Sequence, residues 1–204
     1  DTPGNPAGDG RAALRAFAEA WNLPVAVSFR RQDLFPNDHP LYAGDLGLRN
    51  PDAQRAAFAE ADLVLALGTR LTDITTQGWT WPAAGQRVVH VCADPRFLGW
   101  LFPAELAIAA DARATVAALG SHMPAAPAGR AAWNVRLRAL HVADCEVVPG
   151  EFPDGIAFAG VAKLVERIAP ADAIVTLDAG TFGAPFYRKV AWREGQRLLA
   201  PVSG

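Results

Sequence analysis

The sequence predicts an α/β fold: a doubly wound parallel sheet with helices on both faces, followed by an incomplete second α/β segment. Three observations carry this. Short apolar runs such as "LPVAVSF" (residues 23–29) and "DLVLALG" (62–68) are nearly unbroken, as strands covered on both faces of a parallel sheet are. Between such runs lie stretches with helical apolar spacing. The two kinds alternate, which is the pattern of right-handed β-α-β units.

In chain order, the first helix is "GRAALRAFAEAW" (10–21). Leu14, Phe17, Ala18 and Trp21 fall on one stripe, Asp9 stands where a cap belongs, and Asn22 where the helix should end. The strand at 23–29 then runs into a long polar loop, "RRQDLFPNDHPLYAGDLG" (30–47), punctuated by Pro, Asn, Asp and Gly. A second helix is expected over 51–61 with Pro51 in its first turn, then a strand over 62–68 and another over "QRVVHVCAD" (86–94). A brief helix, "PRFLGWL", leads to the apolar run "ELAIAAD" and to a helix "ARATVAAL" that Asp111 can cap. A doubly wound domain usually opens on a strand, so a first strand is expected upstream of the opening helix.

Composition changes near Gly120. "GSHMPAAPAG" reads as a linker, followed by one helix (130–143) and the loop "PGEFPDG". The pattern then resumes with a helix in "AFAGVAKLVERIAP", a strand and Gly turn in "ADAIVTLDAG", and a strand in "QRLLAPVSG". The expected organisation is a domain over 1–120, a linker with one helix over 121–155, and the start of a further domain over 156–204. That last piece, at roughly fifty residues, is small for an independent α/β domain.

Of 204 residues, 51% are hydrophobic, enough for a core, and the formal net charge is −2. Nucleic acid is therefore not an expected partner, since it calls for a basic stripe. No run is long enough to cross a membrane, and "DTPGNPAGDG" does not read as a signal peptide. Cys92 and Cys145 make no disulfide framework, so a reducing, cytoplasmic compartment is expected.

Ligands of open parallel sheets bind beyond the carboxyl ends of the strands. Those ends carry residues 28–33, "GTRLTD" (68–73) and "CADP" (92–95). Gly68 permits close backbone approach, and Arg70 can pair with a phosphate or carboxylate. Asp94 and Asp111 can accept from ribose hydroxyls. Together they form a candidate nucleotide site (FAD, NAD or CoA). The alternatives are an interdomain ion pair for Arg70 and simple caps for Asp94 and Asp111. No GxGxxG or P-loop occurs. The Gly-rich "GNPAGDG" is an anion cradle or a loose terminus. His90 reads as a core histidine, and His39, His122 and His141 are scattered, so no metal site is expected. No nucleophile elbow or acid–base pair can be assigned, which leaves no catalytic residue. "GWTWP" (78–82) suggests exposed aromatics at an interface. In "LDAGTFGAPF", Gly180 and Thr181 form either an anion cradle or a tight turn with Thr181 as cap.

The ordered set "LPVAVSFRRQDLFPNDHPLYAGDLGLRNP", "EADLVLALGTRLTDITTQGWT" and "QRVVHVCADPRFLG" resembles the central domain of thiamine-diphosphate-dependent enzymes of the acetolactate-synthase-like group, over about residues 14–119. "ADAIVTLDAGTFGAPFYRKV" and "RLLAPVSG" resemble the start of that family's diphosphate-binding domain. The resemblance implies a Rossmann-like six-stranded central domain, largely architectural. It implies a parent enzyme of 2-keto acid decarboxylation or carboligation, usually a homo-oligomer, with thiamine diphosphate and Mg²⁺. The activating glutamate and the GDG…N magnesium motif belong to domains outside this sequence, so the piece is expected to be inactive alone. Gly180, Thr181 and Phe182 match the turn at the diphosphate edge. Some relatives hold a structural FAD at positions matching 28–30, Gly68, Thr69, Arg70, Asp94 and Asp111. Here Cys92 and Ile74 replace charged residues, and Arg30, Arg31 and Gln32 replace residues that pack on the flavin. FAD is therefore not expected. The loop charges are expected to fill that space, tying the loop to the adjacent domain or bonding Asp73 or Asp45.

Overall fold

The computed structural model describes residues 10–122, 129–148, 150, 153 and 155–201. The Gly-rich opening with Asp9, most of the Pro-rich linker, part of the 149–155 loop and the last three residues lie outside the described residues.

Helix α1 (Gly10–Trp21) buries Phe17 and Ala18. It stops at Asn22, which takes a left-handed φ of 50°, a conformation Asn tolerates better than most residues. Strand β1 (Val25–Ser28) follows and pairs in parallel with β2 (Tyr42–Leu46). The sequence reading placed β2 inside a long loop, and the structure corrects this. Tyr42, Ala43 and Leu46 are buried in β2, and Ala43 and Leu46 pack with Ala57, Phe58 and Leu137. This burial overrides the Pro and Gly punctuation around them.

Helix α2 (Asp52–Ala59) begins one residue later than expected, with Pro51 at the N-cap. Strands β3 (Leu63–Leu67), β4 (Arg87–Cys92) and β5 (Leu106–Ala109) form a parallel three-stranded ladder in that order. Helix α3 (Ala112–Gly120) packs along α1. Among the described residues no ladder joins β1 to β3; the α1–α3 pair bridges the two half-sheets. Helix α4 (Ala131–Cys145) lies on β2 and α2, where Trp133 Nε1 donates to the Ala57 carbonyl at 3.1 Å.

The C-terminal segment comprises α5 (Phe158–Ile168), β6 (Ile174–Thr176), α6 (Ala184–Arg188) and β7 (Arg197–Leu199), with β6 and β7 paired in parallel. Its core is Ala162, Phe186, Tyr187, Val190, Trp192 and Leu198, and Phe29 from the end of β1 packs against it. Among its apolar residues Ile156 is 81% exposed, and Ile168, Ile174 and Leu199 are also exposed. Parallel strands paired throughout, with helices between them, make this an α/β fold of the doubly wound type.

Candidate functional site

The turn after β6 is built from short-range constraints. Asp178 Oδ1 accepts from the Ala179 amide at 2.7 Å. Gly180 follows with φ 146°, and a Cβ there would lie 2.9 Å from the Phe182 ring, so the position is closed to side chains. Thr181–Gly183 make one 3-10 turn, with the Gly183 amide donating to the Gly180 carbonyl at 3.2 Å. Thr181 makes no side-chain cap; Gly180 stands at the cap position instead. Gly180, Thr181 and Phe182 are all exposed. A side-chain-free residue beside an exposed hydroxyl lets an anionic group reach the backbone.

The strand ends of the three-stranded ladder are arranged differently. Gly68 has φ 66°, and a Cβ there would sit 3.1 Å from the Ala112 Cβ, so it permits the close approach of α3. The Arg70 guanidinium lies over the Phe97 ring at 5.4 Å. Asp94 caps the 3-10 turn Pro95–Phe97, accepts the Arg96 amide at 3.0 Å and pairs with the Arg96 guanidinium at 2.6 Å. The Arg96 side-chain bond holds its carboxyl down at about 2. Asp111 caps α3 by accepting from the Arg113 and Ala114 amides, each at 3.0 Å, and the Ala114 amide chiefly holds its pKa below the usual carboxylate range. Gly68 therefore adjoins the start of α3, while no ion pair joins Arg70 to Asp94 or Asp111. Each carboxylate is engaged locally. Buried His90 meets the Thr69 carbonyl at 2.8 Å through Nε2, as a satisfied core histidine does.

The loop after β1 turns toward the C-terminal segment. Arg30 donates to the Pro201 carbonyl, and its guanidinium lies 4.8 Å over the Phe29 ring. Gln32 is buried and donates to Asp45 Oδ2 at 3.1 Å. Asn37 binds Trp192 twice: its amide donates to the Trp192 carbonyl at 2.8 Å, and its Oδ1 accepts the Trp192 amide at 3.0 Å. The expected bond to Asp45 and the tie to the following segment are thus both present. The roles of Asn37, Tyr187 and Trp192 are new from the structure; nothing in the sequence links them.

Behind β2 lies a set of titratable groups. Burial pushes Asp45 up to about 6, against the pull of Arg188 and Gln32. His141, packed edge-on to Tyr42 at 4.7 Å, is driven down to about 4 by burial and by Arg138. Burial likewise raises the Cys145 thiol to about 11, so it is protonated and unreactive at neutral pH. Among the described residues no group of three or more His, Cys, Asp or Glu side chains could hold a metal ion.

Residues 4–119 match the family described as "Thiamine pyrophosphate enzyme, central domain". The chain is 29% identical, over 96% of its length, to 37% of a sulfoacetaldehyde acetyltransferase of Alcaligenes xylosoxydans xylosoxydans. It is 32% identical, over 54% of its length, to 18% of the acetolactate synthase large subunit of Corynebacterium glutamicum. It is 33% identical, over 81% of its length, to 29% of a probable 2-ketoarginine decarboxylase of Pseudomonas aeruginosa. The chain thus spans well under half the length of these curated relatives. The chain belongs to the thiamine pyrophosphate enzymes, and residues 4–119 are its central domain.

Proposed function

We propose that the whole protein is a thiamine-diphosphate-dependent enzyme of 2-keto acid decarboxylation or carboligation, acetolactate-synthase-like, in which residues 10–122 contribute architecture. The observation that carries this is the central-domain match over residues 4–119. The turn at residues 180–182 comes after it in chain order. When bound, the cofactor supplies the electron sink for cleavage beside the keto carbon. Gly180 leaves the backbone open, and the Thr181 hydroxyl and Phe182 would line the edge of the cofactor's diphosphate. Mg²⁺ would be held by residues outside this chain, as would the groups that activate the cofactor and choose the substrate. The piece alone is inactive, and its partners are the remaining domains and further copies of the same protein in the cytoplasm. Among the described residues no helix is long and apolar enough to cross a membrane.

No flavin or other nucleotide is part of this reading. Arg30 and Gln32 occupy the end of β1 with bonds to Pro201 and Asp45, and Asp94 and Asp111 are engaged as caps. Full-length protein should be colourless after purification. With thiamine diphosphate and Mg²⁺ it should release CO₂ from a 2-keto acid; pyruvate is tried first, with sulfoacetaldehyde as a candidate acceptor. Failure to bind the cofactor and to turn over any keto acid would refute the reading.

A further inference from the structure

We propose that Arg30 is a positioning residue for the turn at residues 180–182, acting through Tyr187. The assignment rests on reading that turn as the diphosphate edge. Arg30 holds a left-handed backbone, φ 62°, which is costly for a residue with a side chain and persists only where its surroundings enforce it. Its donation to the Pro201 carbonyl and its cation–π contacts provide that enforcement. The guanidinium lies over Phe29 at 4.8 Å and over Tyr187 at 5.9 Å. Phe29 meets the Tyr187 ring edge-on at 5.2 Å.

Tyr187 in turn sets the turn. Its ring lies so close to Gly183 that a Cβ there would come within 3.0 Å of it, and the Gly183 amide closes onto the Gly180 carbonyl. Among the described residues the buried Tyr187 hydroxyl has no hydrogen-bond partner. The ring is therefore held by packing and by the cation over it, not by a hydrogen bond. Removing that cation takes away one of the ring's holds and so weakens the support under Gly183.

The junction as a whole does not depend on Arg30. The paired Asn37–Trp192 bonds and the Arg15–Glu194 ion pair at 2.5 Å also fasten the C-terminal segment. Loss of Arg30 should loosen one turn rather than undock the segment.

The test compares wild-type full-length protein with Arg30→Ala and Arg30→Lys, with Asn37→Ala as the junction control. Amide hydrogen exchange and thiamine diphosphate titration in Mg²⁺ are both read. In Arg30→Ala, exchange of the bonded Gly183 and Ala184 amides should rise about tenfold or more with β3–β5 unchanged. The apparent cofactor Kd should rise about tenfold while kcat at saturating cofactor stays within about twofold. Arg30→Lys should recover most of both, since an ammonium can still sit over the rings. Exchange of the Gly183 and Ala184 amides within about twofold of wild type in Arg30→Ala overturns the proposal. So does a rise spread evenly over the whole C-terminal segment, as Asn37→Ala should give. If Arg30→Ala does not fold, Tyr187→Leu must raise exchange at the same amides or the idea fails. A wild-type protein that binds no thiamine diphosphate refutes the functional reading alone, because the exchange data still decide the positioning claim.

Discussion

Asp45 and His141 stand on opposite sides of one pH balance. In the folded chain Asp45 keeps its proton up to about 6, whereas the ordinary value is 3.8. The folded state thus binds more protons between these values, and Asp45 makes stability fall as pH rises through that window. Asp33, also raised by burial, acts in the same direction. His141 has the opposite sign: the folded form loses its proton by about 4, while the ordinary value is 6.5. The unfolded state binds more protons there, so stability rises with pH through that window. The two slopes oppose, and wild type should show a shallow pH dependence between them. Asp45→Asn should unmask the histidine, giving stability that rises from acid to neutral pH and a gain of about 1–3 kcal/mol at pH near 8. His141→Gln should unmask the aspartates and reverse the slope. Urea titrations across this range read both; parallel curves for wild type and the two variants would refute the assignment.

At the scale of elements, α3 depends on its cap. Asp111 Oδ1 takes two first-turn amides, so Asp111→Ala should cost about 1 kcal/mol and Asp111→Asn almost nothing, since Asn caps equally well. Denaturant midpoints measure this; equal losses for the two would point to a role for the charge itself. Both the helix and its cap were legible in "DARATVAAL", because capping is a local code. Strand β2 was not. It carries Gly44 and Asp45, poor strand residues, between Pro40 and Asn50. What stabilises it is tertiary: α4 covers it, and Gln54 Nε2 reaches across to the Ala43 carbonyl at 2.8 Å. Gly44 is needed there because its φ is 101° and a Cβ would collide with the Gln54 amide. Gly44→Ala should therefore destabilise by about 2 kcal/mol or more, seen as a lowered midpoint for the whole chain rather than for one helix.

For the whole molecule, the fold class followed from periodicity, whereas the wiring of the candidate site did not. Arg30 finds Pro201, and Asn37 finds Trp192, pairs separated by most of the chain and unmarked by any spacing. The sheet order has a consequence at this scale. The ladders run β2–β1 and β3–β4–β5, which are five of the six places in the common doubly wound order 3-2-1-4-5-6. That order leads us to expect a further strand between β1 and β3, ahead of α1 in the whole protein. Burial agrees: Leu63 is exposed and Leu65, Leu67, Val25 and Ala26 are only partly buried, although strands central to a parallel sheet are normally covered on both faces. A free parallel edge is also a pairing hazard that a native protein covers. In full-length protein the free-edge amides of β1 and β3 should exchange about a hundredfold or more slowly than in the 204-residue chain, while β5 amides change little. Equal exchange at β1 and β3 in the two proteins would mean that no strand pairs between them, leaving the α1–α3 packing and the Gln77 bonds to Gly47 and Asn50 to join the half-sheets.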